Sequence, residues 1–264
     1  MFMINGVRSE IRRPPIAKDL LGTMLQALGR FGEAEQFHRE ALEENLQLRG
    51  PDHPVTLDSM HVLGMLLLKE GKFDDAMPYL DQAMRGRELV LGPDHRDTIE
   101  SMNGMAAVLQ SKGMPEQALP LLHQTVQRNC HLHGPDHPVT ISSMDNLGTL
   151  LHRLGRTEEA EELIANALER TQLISDEATV HFAILMTHHA AVLLDLGHFQ
   201  SAMESALKAY TILESKLATS HPHIIATMQL LVDLYSRWHL LDSQADHTKS
   251  ATRWQLQLDS VEQQ

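Results

Sequence analysis

Cys130 is the chain's single cysteine, so no internal disulfide can form and a reducing, cytoplasmic setting is expected. Aromatic residues make up only 4%, and no alternating β-branched runs accompany them, which argues against a core built of strands. Basic residues are in deficit: 22 Lys and Arg stand against 35 Asp and Glu, a formal net charge of −13. That balance disfavours nucleic acid and anionic lipid as partners. No apolar run approaches the ~20 residues of a membrane span. The opening Met1–Arg8 turns polar too soon for a secretory signal. A Gly-x-Ser-x-Gly turn, a phosphate-cradling glycine loop and a kinase signature set are all missing, so no catalysis is expected.

What the chain has instead is a repeat. Gly50-Pro51-Asp52-His53-Pro54-Val55-Thr56 returns as Gly134-Pro135-Asp136-His137-Pro138-Val139-Thr140, and more loosely as Gly92-Pro93-Asp94-His95-Arg96-Asp97-Thr98. The glycines at 50, 92 and 134 set a period of 42 residues, and a fixed period of this size marks stacked supersecondary units. Other columns follow the same ruler: Gly29, Gly71, Gly113, Gly155 and Gly197; Ala34, Ala76, Ala118, Ala160 and Ala202; Met60, Met102, Met144, Met186 and Met228. A second alanine column runs Ala41, Ala83, Ala167, Ala209 and Ala251, with Thr125 as the exception.

Each unit reads as two helices. Met60, Leu63, Gly64 and Leu67 share one helical face. Gly71 ends that helix in the left-handed conformation. A second helix runs from about Phe73 to Val90 until Gly92-Pro93 stops it, with Asp94 the expected N-cap of the next. Small residues such as Gly64, Ala76 and Ala83 let the two backbones approach closely, and the methionine column is read as core filler. Six hairpins result, about 14–49, 56–91, 98–133, 140–175, 178–217 and 221–258. Residues 1–13 form an N-terminal extension, 14–258 the array and 259–264 a tail. The fifth unit loses the linker signature to Asp176-Glu177-Ala178-Thr179. The sixth loses its turn glycine to His239 and its first alanine to Gln244. An array that opens without a capping element is also what a piece of a longer chain would show.

The pattern resembles the tetratricopeptide repeat, and within it the 42-residue kinesin-light-chain type. The residues that carry the likeness are Asn146-Leu147-Gly148, Leu151, Gly155-Arg156, Glu159-Ala160-Glu161, Ala167 and the Gly-Pro-Asp-His-Pro linker, echoed in the first unit by Leu21-Gly22, Leu28-Gly29-Arg30, Glu33-Ala34-Glu35 and His38-Arg39-Glu40-Ala41-Leu42. It implies an all-α, right-handed α-solenoid, a superhelix of about six helix-turn-helix repeats. The closing Leu234-Tyr235-Ser236-Arg237-Trp238 and Ala251-Thr252-Arg253-Trp254 are similar to the ends of arrays linked to bacterial serine/threonine kinases.

The 17 histidines raise the question of metal. His53, His95, His137 and His221 fall one per linker, spaced by roughly a helix diameter, ~10 Å. Zinc needs ligands at ~2 Å, so each is expected to hydrogen-bond within its own linker. His181, His188 and His189 share a helical face, but a partner helix offers no further ligand, and His131-Leu132-His133 diverge. No metal and no cofactor are expected. Cys130 sits near a helix C-terminus, where the dipole does not lower a thiol pKa, and is read as inert and partly packed.

A surface remains. First helices of such repeats line a concave groove, the surface solenoids use for binding. Asp58, His61, Met65, Lys69, Glu100, Asn103, Asp145, Asn146, His152, Arg153, His188, Asp195, Asp233 and Arg237 would face it. The resemblance implies an asparagine before the Leu-Gly pair that grips a peptide backbone. Asn146 alone keeps it, and Leu20, Val62, Gly104, His188 and Leu230 replace it elsewhere. Binding is expected where Asn146, His152, Arg153 and Asp145 meet Asn103 of the preceding hairpin, with His61 and Lys69 further along. The expected function is a non-catalytic scaffold for a protein or peptide partner. The alternatives are a regulatory portion of a larger signalling protein, such as a serine/threonine kinase, and a solenoid binding a small ligand.

Overall fold

The computed structural model describes residues 14–174, 179–241 and 247–262. The 1–13 extension and the Asp176-Glu177-Ala178 and Gln244 departures lie outside them. Among the described residues there are twelve α-helices and no strand. The chain divides into two compact units between Leu121 and Leu122.

The first unit holds α1 (Pro15–Ala27), α2 (Phe31–Arg49), α3 (Pro54–Lys69), α4 (Phe73–Leu91), α5 (Arg96–Ser111) and the start of α6 (Pro115–His133). The linker shows how the repeated motif works. Gly50 and Gly92 leave the preceding helix at φ 85° and 92°, a region that favours residues without a Cβ. The next helix is capped by histidine: Asp97 N–H donates to His95 Nδ1 at 3.2 Å, and Val55 N–H to His53 Nδ1 at 3.2 Å. This corrects the expected Asp94 cap. The helix begins at Arg96, so His95 is the residue with extended φ −71°, ψ 139° at its mouth, and Asp94 is one position too early. Thr98 Oγ1 then donates back to the Gly92 carbonyl at 2.8 Å, closing the turn.

Hairpins pack through the small-residue columns. Ala34, Ala76 and Ala83 are fully buried, and a Cβ on Gly64 would stand 2.7 Å from Leu80 Cγ. Met60 and Met102 fill the spaces with Leu57, Leu63 and Leu67, each burial contributing about 1.5–3 kcal/mol before entropy is counted.

The second unit holds the rest of α6, then α7 (Pro138–Arg153), α8 (Thr157–Ile174), α9 (Val180–Asp195), α10 (Phe199–Lys216), α11 (Pro222–Leu241) and α12 (His247–Glu262). It repeats the same devices. His137 Nδ1 accepts from Val139 N–H at 3.2 Å, Thr140 Oγ1 donates to the Gly134 carbonyl at 2.8 Å, and His221 Nδ1 accepts from His223 N–H at 3.3 Å. The histidines thus act within their own linkers. Ala160, Ala202, Ala167 and Ala209 are fully buried, as are Met144, Met186 and Met228 nearly so. Without its turn glycine, α11 continues to Leu241, a 20-residue helix. Aromatics gather at this end: Trp238 stacks on His247 at 4.3 Å, and Trp254 meets Tyr210 edge-on at 4.7 Å.

One repeated device escaped the sequence reading. Asn45 Nδ2 donates to Ser59 Oγ at 2.9 Å and Arg87 Nη1 to Ser101 Oγ at 2.7 Å in the first unit; Asn129 Nδ2 donates to Ser143 Oγ at 2.8 Å in the second. All three hydrogen bonds are buried and span 14 residues. Each pins a second helix to the first helix of the following hairpin, where a mismatched register would leave both groups unsatisfied.

Candidate functional site

In the second unit the first helices α7, α9 and α11 lie side by side, because the 42-residue repeat brings like faces together. Their polar side chains pair from one helix to the next. His188 Nδ1 lies 2.7 Å from the buried Asp145 Oδ1. His152 Nε2 lies 2.7 Å from Asp195 Oδ2, whose other oxygen accepts from Arg237 Nη1 at 2.7 Å. Arg237 also reaches the Leu194 carbonyl at 3.3 Å, and the Thr187 and Thr227 hydroxyls meet at 3.0 Å. The row His152, Asp195, Arg237 therefore ties three consecutive first helices together.

The electrostatics follow from the contacts. Burial alone would push the Asp195 carboxyl up, but hydrogen bonds from Arg237 and His152 outweigh it and hold the group below the usual carboxylate range. The hydrogen bond to Asp195 raises the Arg237 guanidinium in turn. Asn146 is exposed on the same helix, between Asp145 and the turn that carries Thr149, with its carbonyl accepting from Thr149 Oγ1 at 3.0 Å. Arg153 is exposed at the end of α7. Asp145, Asn146, His152 and Arg153 thus share one helix, with Asp145 buried beneath the surface the other three reach.

The first unit places the remaining candidates on α3 and α5. His61 is buried, 7% exposed. Burial chiefly, with help from the Arg87 cation, pushes its pKa down to about 4, and the Glu100 carboxylate at 3.9 Å does not offset this. It is therefore a neutral core histidine at pH 7. Gly104 lets it fit, since a Cβ there would stand 3.3 Å from His61 Cε1 and 3.1 Å from Met65 Sδ. Lys69 is exposed, its ammonium 5.0 Å from the centre of the Phe31 ring. Asn103 is half-buried, with a buried Oδ1 that no donor among the described residues satisfies. Asp58, expected in the groove, is spent on Arg87, whose Nη2 donates to it at 2.6 Å.

No three His, Cys, Asp or Glu side chains among the described residues converge to hold a metal ion. Cys130 is exposed, which corrects its reading as partly packed. Its column carries Glu88, Gln172 and Glu214 in other units, an outward-facing position. Among the described residues no helix is long and apolar enough to cross a membrane.

The sequence model of the tetratricopeptide repeat matches residues 16–88, 63–130 and 103–172, which together span well over half the chain. The chain belongs to the tetratricopeptide repeat family. Solved structures agree on the fold of this tetratricopeptide repeat protein. It is similar to a kinesin-light-chain protein of nearly identical TPR-like repeats from Podosopora anserina, at 21% identity and TM-score 0.63, covering 80% of this chain and 96% of that one. The apo form of RapI superposes at TM-score 0.73 with 13% identity, covering 93% and 83%. A Rap protein complexed with competence and sporulation factor gives 0.63 with 14% identity, covering 94% and 75%. No curated protein sequence matches the chain.

Proposed function

We propose that this tetratricopeptide repeat protein is a non-catalytic scaffold that grips an extended peptide of a partner on the face formed by α7, α9 and α11. The observation that carries the proposal is the His152–Asp195–Arg237 row, which fixes side chains on three successive helices before any partner arrives. Preorganisation of this kind reduces the ordering cost of binding. Asn146, exposed beside that row, offers an amide with both a donor and an acceptor, which matches the N–H and C=O of an extended backbone. Arg153, exposed at the end of α7, carries a planar guanidinium suited to a carboxylate. Asn103 and Lys69 occupy the corresponding face of the first unit, with His61 buried beneath it. A Rap protein of the same fold is complexed with competence and sporulation factor, so the fold is compatible with such a ligand.

The test uses peptides selected from a displayed random library and measured by fluorescence anisotropy against the full chain. Asn146→Ala and Arg153→Glu should each weaken peptides of the groove class by ~1 kcal/mol or more, with the melting midpoint nearly unchanged. Full affinity for every selected peptide in the double variant would withdraw this face as the binding site.

A further inference from the structure

On the other side of α7 a cleft of about 330 Å³ opens between α6 and α8, lined by residues of the second unit alone. Leu147 and Leu151 of α7, both nearly fully buried, line it. Val126 and Leu163 add apolar wall, and Glu162 stands exposed at the edge. The repeat explains why the cleft exists here. Val126 occupies the column that holds the larger Leu42, Met84, Leu168 and Tyr210 in four other units and Thr252 in the last, so volume is missing relative to those four. Glu162 occupies the column that holds Gln36, Pro78, Pro120 and Glu204 in other units. At this position the carboxylate lies beside the apolar wall of the cleft.

Glu162 makes no hydrogen bond or ion pair among the described residues. Its neighbour Glu159 differs, taking two hydrogen bonds from Arg156 at 2.7 and 2.6 Å that hold its carboxyl below the usual range. The volume lies at the small end of the ~300–1,000 Å³ typical of ligand sites, suited to one or two side chains of an inserted segment. We infer that this cleft docks a partner segment presenting an aliphatic side chain next to an arginine or lysine. The aliphatic group would cover Leu147, Leu151 and Leu163, while the cation reaches Glu162 with its stem along the apolar wall. The net charge of −13 favours the approach of such a cationic partner. None of the cleft residues belongs to the face of Asn146, so this inference stands independently of that proposal.

A phage-displayed random heptapeptide library is panned against the full chain, and the recovered peptides are titrated against Val126→Met, Glu162→Lys and Asn146→Ala. Val126→Met installs the side chain that position 84 carries and should fill the cleft without lowering the melting midpoint. The expected result is a class of peptides pairing Leu, Ile or Met with an adjacent Arg or Lys. These should lose at least tenfold in affinity on Val126→Met, at least fivefold on Glu162→Lys, and nothing on Asn146→Ala. Peptides that respond to Asn146→Ala alone, cleft-sensitive peptides that are acidic, or no recovered peptide at all would overturn the inference. If Val126→Met fails to melt cooperatively, Glu162→Lys decides, since that side chain is exposed and contacts no partner; unchanged affinity for all peptides then overturns it.

Discussion

His61 should make the first unit sensitive to mild acid. In the fold its pKa is pushed down to about 4 by burial and by Arg87, whereas the unfolded chain restores the ordinary value near 6.5. Between those values the unfolded chain binds a proton that the folded chain refuses, so stability falls as pH drops from about 6.5 to about 4. The contribution is fully present above pH ~6.5 and is lost once the folded group itself titrates. A gap of roughly 2.5 units is worth about 3 kcal/mol at most. The perturbation is His61→Gln, which keeps polarity and approximate size but cannot titrate. Urea denaturation of both proteins at pH 7.5, 5.5 and 4.0 gives the difference in their pH slopes, and the subtraction cancels the other histidines. The native chain should lose about 2–3 kcal/mol more than the variant over this range. Parallel pH profiles would mean that His61 is solvated, and the buried placement beside Gly104 would be refuted.

Ala160→Leu should cost ~1–3 kcal/mol, because Ala160 is fully buried and overpacking a close helix contact forces strain, while Glu158→Gln at an exposed site should stay within about 0.5; thermal melts giving equal shifts would remove the alanine column from the helix contact. Asn129→Ala and Ser143→Ala should show a coupling of ~1 kcal/mol in a double-mutant cycle, as expected for the buried 2.8 Å hydrogen bond between them, and additive effects in denaturant melts would show the contact to be absent.

The fold was legible because its determinants keep both residue type and position through the repeat. Ala34, Ala76, Ala118, Ala160 and Ala202 are all fully buried, and the methionine column fills the core. The pegs were less visible because the residue type changes while the role stays: Asn45, Arg87 and Asn129 make the same buried reach to a serine 14 residues on. The column could have revealed them, since a polar residue recurs where a second helix must face the next hairpin. The pairs that link first helices were hidden for a different reason. His152 meets Asp195 and Asp145 meets His188 at a separation of 43 residues, one off the period, so a same-column search passes them by. His61 and Asp145 lay on the correct helical face by angle, yet both are buried, because neighbouring first helices cover that part of the face. Helical angle alone does not report this.

The measurement that bears most directly on peptide binding at the α7, α9 and α11 face is a map of backbone amide NMR shifts of the labelled full chain, with and without a selected peptide sensitive to Asn146→Ala. The account predicts perturbations concentrated in residues 145–153, 187–195 and 229–237, with α8 and α10 unmoved. Perturbations confined to α8, α10 or α12, with those three stretches silent, would contradict it.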